Sequence, residues 1–175
     1  MSIKLKRIYE AIQDEGRLSE KLSSLLNKQI QNELQSSQIY RGMSCWLDSA
    51  KWIGASNYYF KSSQEELAHM EKIYKFLFDR NVVAKVPICE EVKQKFEDVR
   101  EIVEESLKHE IEVTKEWDDI SNAAKDEGDN TTYEFAQWFL KEQIEEEDRF
   151  RNILFKLDLE MPKWKIDEMF TELTK

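Results

Sequence analysis

Four glutamates carry the chemistry that this sequence offers. Glu33, Glu66, Glu110 and Glu146 each fall in a stretch whose apolar residues recur at helical spacing, and each falls on the apolar side. Around Glu146, Phe135 and Phe139 lie eleven and seven residues back, while Phe150, Ile153 and Leu157 lie four, seven and eleven ahead. Glu142 and Gln143 share that face one turn earlier. Glu33 stands in line with Leu22, Leu26, Ile30, Ser37, Tyr40 and Leu47. Glu66 is aligned with Tyr59, Ser63, Met70, Ile73 and Leu77, and Glu110 with Val103, Leu107, Val113 and Trp117. His69 follows Glu66 by three residues and shares its face.

Such a pattern needs a physical reason. Taking an ionised carboxylate out of water costs several kcal/mol even after relaxation. Four of them would approach the roughly 5–15 kcal/mol stability of a whole domain. No Lys or Arg stands on these stripes near the glutamates, which makes a metal ion the natural counter-charge. Oxygen ligands with one imidazole suit iron or manganese better than zinc or copper, and several carboxylates inside a helical bundle favour two ions. The competing reading is that the glutamates are partly exposed or protonated, and that polar core residues only fix helix register. A single glutamate fits that reading well; four helices each with one, plus Glu66-x-x-His69, fit it poorly. His109, one residue off the inward face of Glu110, reads as solvated. Phe135, Trp138, Phe139 and Phe150 read as core. Tyr40, two turns after Glu33, reads either as core or as a phenol that supplies an electron or a hydrogen bond beside the metals.

The elements that would position these residues are long helices. The first is expected from about Ser19 to Asp48, with Gly54 marking the break, and the second from there to about Asp79. Residues 80–96 lose the helical pattern, and Asn81 to Ile88, with its β-branched run and Pro87, reads as extended. A third helix covers about 97–126 and is closed by Gly128-Asp129. Thr131-Thr132-Tyr133-Glu134 has capping-box spacing for a fourth helix ending near Asp158. Pro162 suits the first turn of a short fifth helix through about Leu173. The short links make helices one and two, and three and four, antiparallel. The link of about 17 residues between the second and third is long enough to run the length of the bundle and make those two parallel. The expectation is an all-α four-helix bundle with one long crossover and a short C-terminal helix.

Composition agrees. The chain of 175 residues has 36 Asp and Glu against 26 Lys and Arg, a net charge of −10, which disfavours nucleic-acid and anionic-membrane partners and suits the gathering of cations. No stretch approaches the roughly 20 apolar residues of a membrane span. The N-terminus lacks the apolar run of a signal peptide, and Cys45 and Cys89 read as two buried free thiols, so a cytoplasmic protein is expected.

At this point the chain resembles the bacterial non-haem ferritins, from about residue 18 to 160. The motifs are Asn32-Glu33-Leu34 with Tyr40, Gln64-Glu65-Glu66-Leu67-Ala68-His69-Met70, Glu110, and Gln137 through Glu147. The resemblance implies an intrasubunit di-iron ferroxidase centre. Glu33, Glu66 and His69 would hold one iron, and Glu66 as a bridge, Glu110, Gln143 and Glu146 the second. A third, weaker iron position would use Glu65, Glu142 and Glu145, with Tyr40 and Trp138 beside the centre. Haem is not expected, because haem-bearing relatives carry a ligating Met where this chain has Leu67, and a second Glu-x-x-His where it has Gln143-x-x-Glu146. The first helix has no histidine of the kind that mini-ferritins use. The implied function is iron storage: oxidation of Fe²⁺ by O₂ or H₂O₂ and deposition of ferric mineral inside a homo-oligomeric shell of 24 subunits. The alternative is a non-storage di-iron peroxidase or oxygenase of the same superfamily. Residues 1–17 have no counterpart in a typical member and are expected as an extension, with a possible short helix, preceding the domain at 18–175. The link Glu160-Met161-Pro162-Lys163 is short for the family.

Overall fold

The computed structural model describes residues 18–174 and contains, among them, five helices and no strand. They are α1 (Glu20–Ser49), α2 (Ile53–Asp79), α3 (Val99–Glu127), α4 (Asn130–Leu157) and α5 (Lys163–Leu173). The expected N-terminal extension at 1–17 lies outside the described residues.

Pairwise contacts give the topology directly. Along α1 and α2, Ser44 pairs with Ser56 and Ser37 with the backbone of Ser63, so advancing on one helix means retreating on the other. The pair is antiparallel. Gln137–Ser121 and Gln143–Glu110 show the same for α3 and α4. The crossover at 81–98 runs alongside α1 in the direction of that helix. Lys85 N donates to Asn27 Oδ1 at 2.7 Å, and further on Glu90 N donates to Gln35 Oε1 at 2.8 Å. Gln35 returns a bond from Nε2 to Glu90 O at 3.3 Å, so its amide holds the extended chain as a neighbouring strand would. This path delivers α3 to the far end of the bundle, antiparallel to α1 and parallel to α2, as the link length requires.

The ends of the helices are set by local chemistry. Ser19 caps α1 by accepting from Leu22 N, and Asp98 caps α3 by accepting from Glu101 N. Gly128, in the left-handed region at φ 71, ends α3. The expected cap at Thr131 is displaced by two residues: Asp129 accepts from Thr132 N, and α4 begins at Asn130. Asp129 is also paired with Arg80 from the end of α2, at 2.9 Å between Nη2 and Oδ2, a partner that no local motif reveals.

The last helix packs within its own chain. Ile166, Met169 and Phe170 are buried against the end of the bundle, leaving Trp164 and Leu173 exposed. Trp52, preceding α2, makes no side-chain cap; Asp167 of α5 instead accepts from Ala55 N at 3.0 Å. This places a carboxylate at the positive end of α2. Gly54 makes the approach possible, since a Cβ there would lie 2.0 Å from Asp167 O and 2.5 Å from Thr171 Oγ1. The clash is with backbone, so Gly54→Ala is expected to push α5 away and destabilise the chain by about 2 kcal/mol. A thermal midpoint equal to that of the parent protein would contradict this account.

Candidate metal centre

The four helices bring one polar layer together at mid-bundle. Glu33, Glu66, Glu110 and Gln143 are each no more than 8% exposed. His69 Nδ1 lies 3.3 Å from Glu66 Oε2 and 3.8 Å from Glu33 Oε2. One ligand atom from each of Glu33, Glu66 and His69 falls within 4.8 Å of the others, a spacing that a single ion can bridge. Gln143 Nε2 donates to Glu110 Oε2 at 2.7 Å, and the Tyr40 hydroxyl donates to Glu110 Oε1. Gln29, which the helical stripe did not single out, is buried and donates to Glu33 Oε1 at 2.9 Å.

The electrostatics mark the layer as strained without a cation. Burial, then the Glu66 charge, raises the Glu33 carboxyl well above its ordinary value. Burial, then Glu110, does the same to Glu66. Burial also pushes Glu146 up to about 7; Arg149 opposes this, while Glu110 and Glu65 add to it. Tyr40 is held as the neutral phenol by burial and by Glu110. These are carboxylates taken from water and placed against one another, and the donor set of carboxylate oxygens with one imidazole nitrogen fits iron.

A cavity of about 670 Å³ opens beside the layer, lined among others by Glu65, His69, Trp138, Glu142, Glu146 and Arg149. Glu65 and Glu142 thus share one recess with Glu146. Glu145 does not join them: it is exposed and lines a separate recess with Asp148 and Asn152. Trp138 packs edge-on to His69 at 5.8 Å, and Lys72 Nζ sits 3.3 Å over its ring.

Three expectations need correction. A basic residue does stand beside the acidic layer: Arg149 Nη1 is 3.0 Å from Glu146 Oε1. The residue lies three positions beyond Glu146, and a long side chain reaches back over the preceding turn of its helix. His109 is not solvated. Its Nε2 is 2.7 Å from Ser36 Oγ, and its ring meets Tyr40 edge-on at 6.0 Å, because α1 closes over that flank of α3. Cys45 is exposed and Cys89 half-buried, both as free thiols, so neither is a core residue.

A family profile described as a ferritin-like domain matches residues 23–159. The chain belongs to the ferritin family. This ferritin is similar to the bacterial non-heme ferritin of Escherichia coli O157:H7, at 33% identity over 77% of this chain and 81% of the relative. It is 31% identical to a probable bacterial non-heme ferritin-like protein of Haemophilus influenzae, over 81% of this chain and 86% of that one. Among solved structures, an open pore ferritin from the archaeon Archaeoglobus fulgidus superposes with a TM-score of 0.85 at 32% identity, covering 88% of this chain and 96% of that one. The all-α bundle with its crossover and short fifth helix is therefore the ferritin fold. Among the described residues, no helix is long and apolar enough to cross a membrane.

Proposed function

We propose that this ferritin binds two Fe²⁺ ions as substrate inside each chain, oxidises them with O₂ or H₂O₂, and stores the ferric product within a closed homo-oligomeric shell of 24 subunits in the cytoplasm. The observation that carries the reading is the cluster of Glu33, Glu66 and His69, whose ligand atoms lie within 4.8 Å in a buried layer. These three residues would hold the first iron. Glu66 as a bridge, with Glu110, Gln143 and Glu146, would hold the second. Glu65 and Glu142, in the adjoining cavity, would take a third ion, with Glu145 reaching it only by turning from its present recess.

The other side chains prepare the centre. Gln29 occupies Glu33 Oε1, leaving Oε2 on the His69 side. Tyr40 and Gln143 fix the two oxygens of Glu110. Such supporting hydrogen bonds orient ligands before the metal arrives. The raised carboxyls of Glu33 and Glu66 enter the site carrying protons and release them as iron binds. The phenol of Tyr40 lies next to Glu110, where it can hydrogen-bond a bound oxidant or give up an electron.

Fe²⁺ titration of the metal-free protein, followed by solution mass, tests the proposal. A fast oxidation phase saturating at two irons per chain is expected, then uptake far beyond that number, on a particle of shell mass. Exposed Val83, Val86 and Ile88 on the crossover and Trp164 on α5 supply apolar surface for assembly. A monomer at micromolar concentration would end the storage reading. Saturation at two irons per chain, with no further uptake, would favour the non-storage di-iron alternative.

A further inference from the structure

Within the polar layer, Glu146 differs from its neighbours in already having a cation. Arg149 Nη1 lies 3.0 Å from Glu146 Oε1 and 3.1 Å from Oε2, so one guanidinium nitrogen engages both carboxylate oxygens. Among the described residues, Glu66 has only His69 within ion-pair distance, and Glu33 has His69 and the neutral amide of Gln29. The guanidinium is partly withdrawn from water on the wall of the cavity that Glu65 and Glu142 also line. Beside it, the Tyr58 hydroxyl is buried, with no other hydrogen-bond partner than the Arg149 guanidinium among the described residues. The Arg149 charge acts on that hydroxyl, opposing the rise that burial and Glu146 impose.

We infer that Arg149 is the resident counter-ion of the second iron position, holding Glu146 out of coordination until an entering metal ion displaces it, so that the two positions of each chain fill in order. The inference rests on the di-iron reading above. A carboxylate with one oxygen accepting from a guanidinium and the other in ion-pair contact with it must give up that pairing to become a ligand. The first position faces no such competitor, since its three ligand groups carry no Arg or Lys partner among the described residues. The displaced guanidinium has somewhere to go. The cavity of about 670 Å³ gives it room beside Glu65, and the Tyr58 hydroxyl, which the guanidinium already approaches, can go on accepting its N–H. Arg149 is thus a positioning residue, setting when Glu146 becomes available, and touches no reacting atom.

Calorimetric titration with Co²⁺, which is not oxidised under anaerobic conditions, reads this out on the assembled metal-free protein. The parent protein is expected to bind one ion per chain, then a second about tenfold or more weaker. In Arg149→Leu the second ion should tighten by about tenfold, the value of a charged hydrogen bond no longer lost, while the first changes less than about twofold. Arg149→Lys keeps the charge and should stay near the parent. Equal second-site affinity in the parent and in Arg149→Leu would overturn the inference while leaving two sites in place. A parent protein binding no Co²⁺ tightly would instead remove the di-iron reading, and the inference with it. If Arg149→Leu fails to assemble, Arg149→Gln makes the same comparison with a polar side chain. The metal-free proteins give a second readout. Arg149→Leu should melt lower than the parent, because Glu146 is left unpaired, and adding Glu146→Gln should restore the midpoint. No restoration would mean that Arg149 acts through packing alone, and would equally overturn the inference.

Discussion

Glu66→Gln is expected to slow the rapid phase of Fe²⁺ oxidation by at least about tenfold, with Glu33→Ala close behind. Glu66 sits where both proposed iron positions meet, next to His69 at 3.3 Å and under the charge of Glu110. The carboxamide keeps the volume and loses the charge, so both positions weaken together. The metal-free variant should be at least as stable as the parent at neutral pH. A buried carboxylate among carboxylates has been removed, and the neutral amide avoids that desolvation cost. Stopped-flow absorbance with matched thermal melts checks both halves. An unchanged fast phase would remove Glu66, and with it the bridging arrangement, from the centre.

The second large effect is a pH dependence that reverses on metal binding. In the metal-free protein, Glu33, Glu66 and Glu146 have carboxyls raised above the ordinary 4.5, Glu146 to about 7. The folded state therefore holds protons that the unfolded chain has released. Stability from these groups is fully present below about pH 4.5 and falls as pH rises through their folded-state values. For Glu146 alone the loss by pH 8 is on the order of 3 kcal/mol. Asp129 works the other way. Its carboxyl is lowered below 3.8: its burial pulls upward, and is outweighed by the bonds from Arg80 and Thr132, so its contribution is lost in stronger acid. The melting temperature of metal-free protein should peak near pH 5 and drop by pH 8. Added Zn²⁺ competes with the protons, so its stabilising effect should grow over the same interval. A metal-free midpoint that climbs from pH 5 to 8 would contradict the buried, partly protonated layer.

Much of this was legible because helical periodicity reports which face is buried, and a glutamate on that face is conspicuous. The stripe through Glu33 is buried as spaced, those through Glu66 and Glu110 are buried apart from half-buried Met70 and Leu107, and the crossover length set the direction of α3. What stayed hidden depends on neighbours from other helices or on side-chain reach. Gln29 lies one position from the stripe residue Ile30, and its role appears only through its bond to Glu33. His109 looked outward until α1 placed Ser36 against it. Arg149 is three residues from Glu146, but its contact needs the side chain to fold back along α4. The start of α4 turned on Arg80, 49 residues from the Asp129 cap that it supports. The docking of the last helix was hidden too, since nothing local to Ile166, Met169 and Phe170 shows that Gly54 of α2 lets them pack within the same chain.

The acidic layer also divides what would otherwise be one continuous core. On one side, Tyr40, Tyr59, Phe150 and Phe170 belong to a cluster closed by α5; on the other, Leu26, Ile73, Trp117 and Phe139 belong to a second, with Trp117 stacked on Phe139 at 3.8 Å between centroids. Among the described residues, the two are joined through the helical backbones, the crossover and a polar layer of carboxyls, His69, Gln29 and Gln143 rather than through continuous apolar packing. Without iron, the bundle is thus built as two cooperative units that can open separately, and amide hydrogen exchange should resolve them with different protection. An ion bound by ligands from several helices ties the halves into one unit. Iron would then act on this chain as a structural rivet as well as cargo, and the exchange rates of residues far from the metals, in both clusters, should converge as it binds.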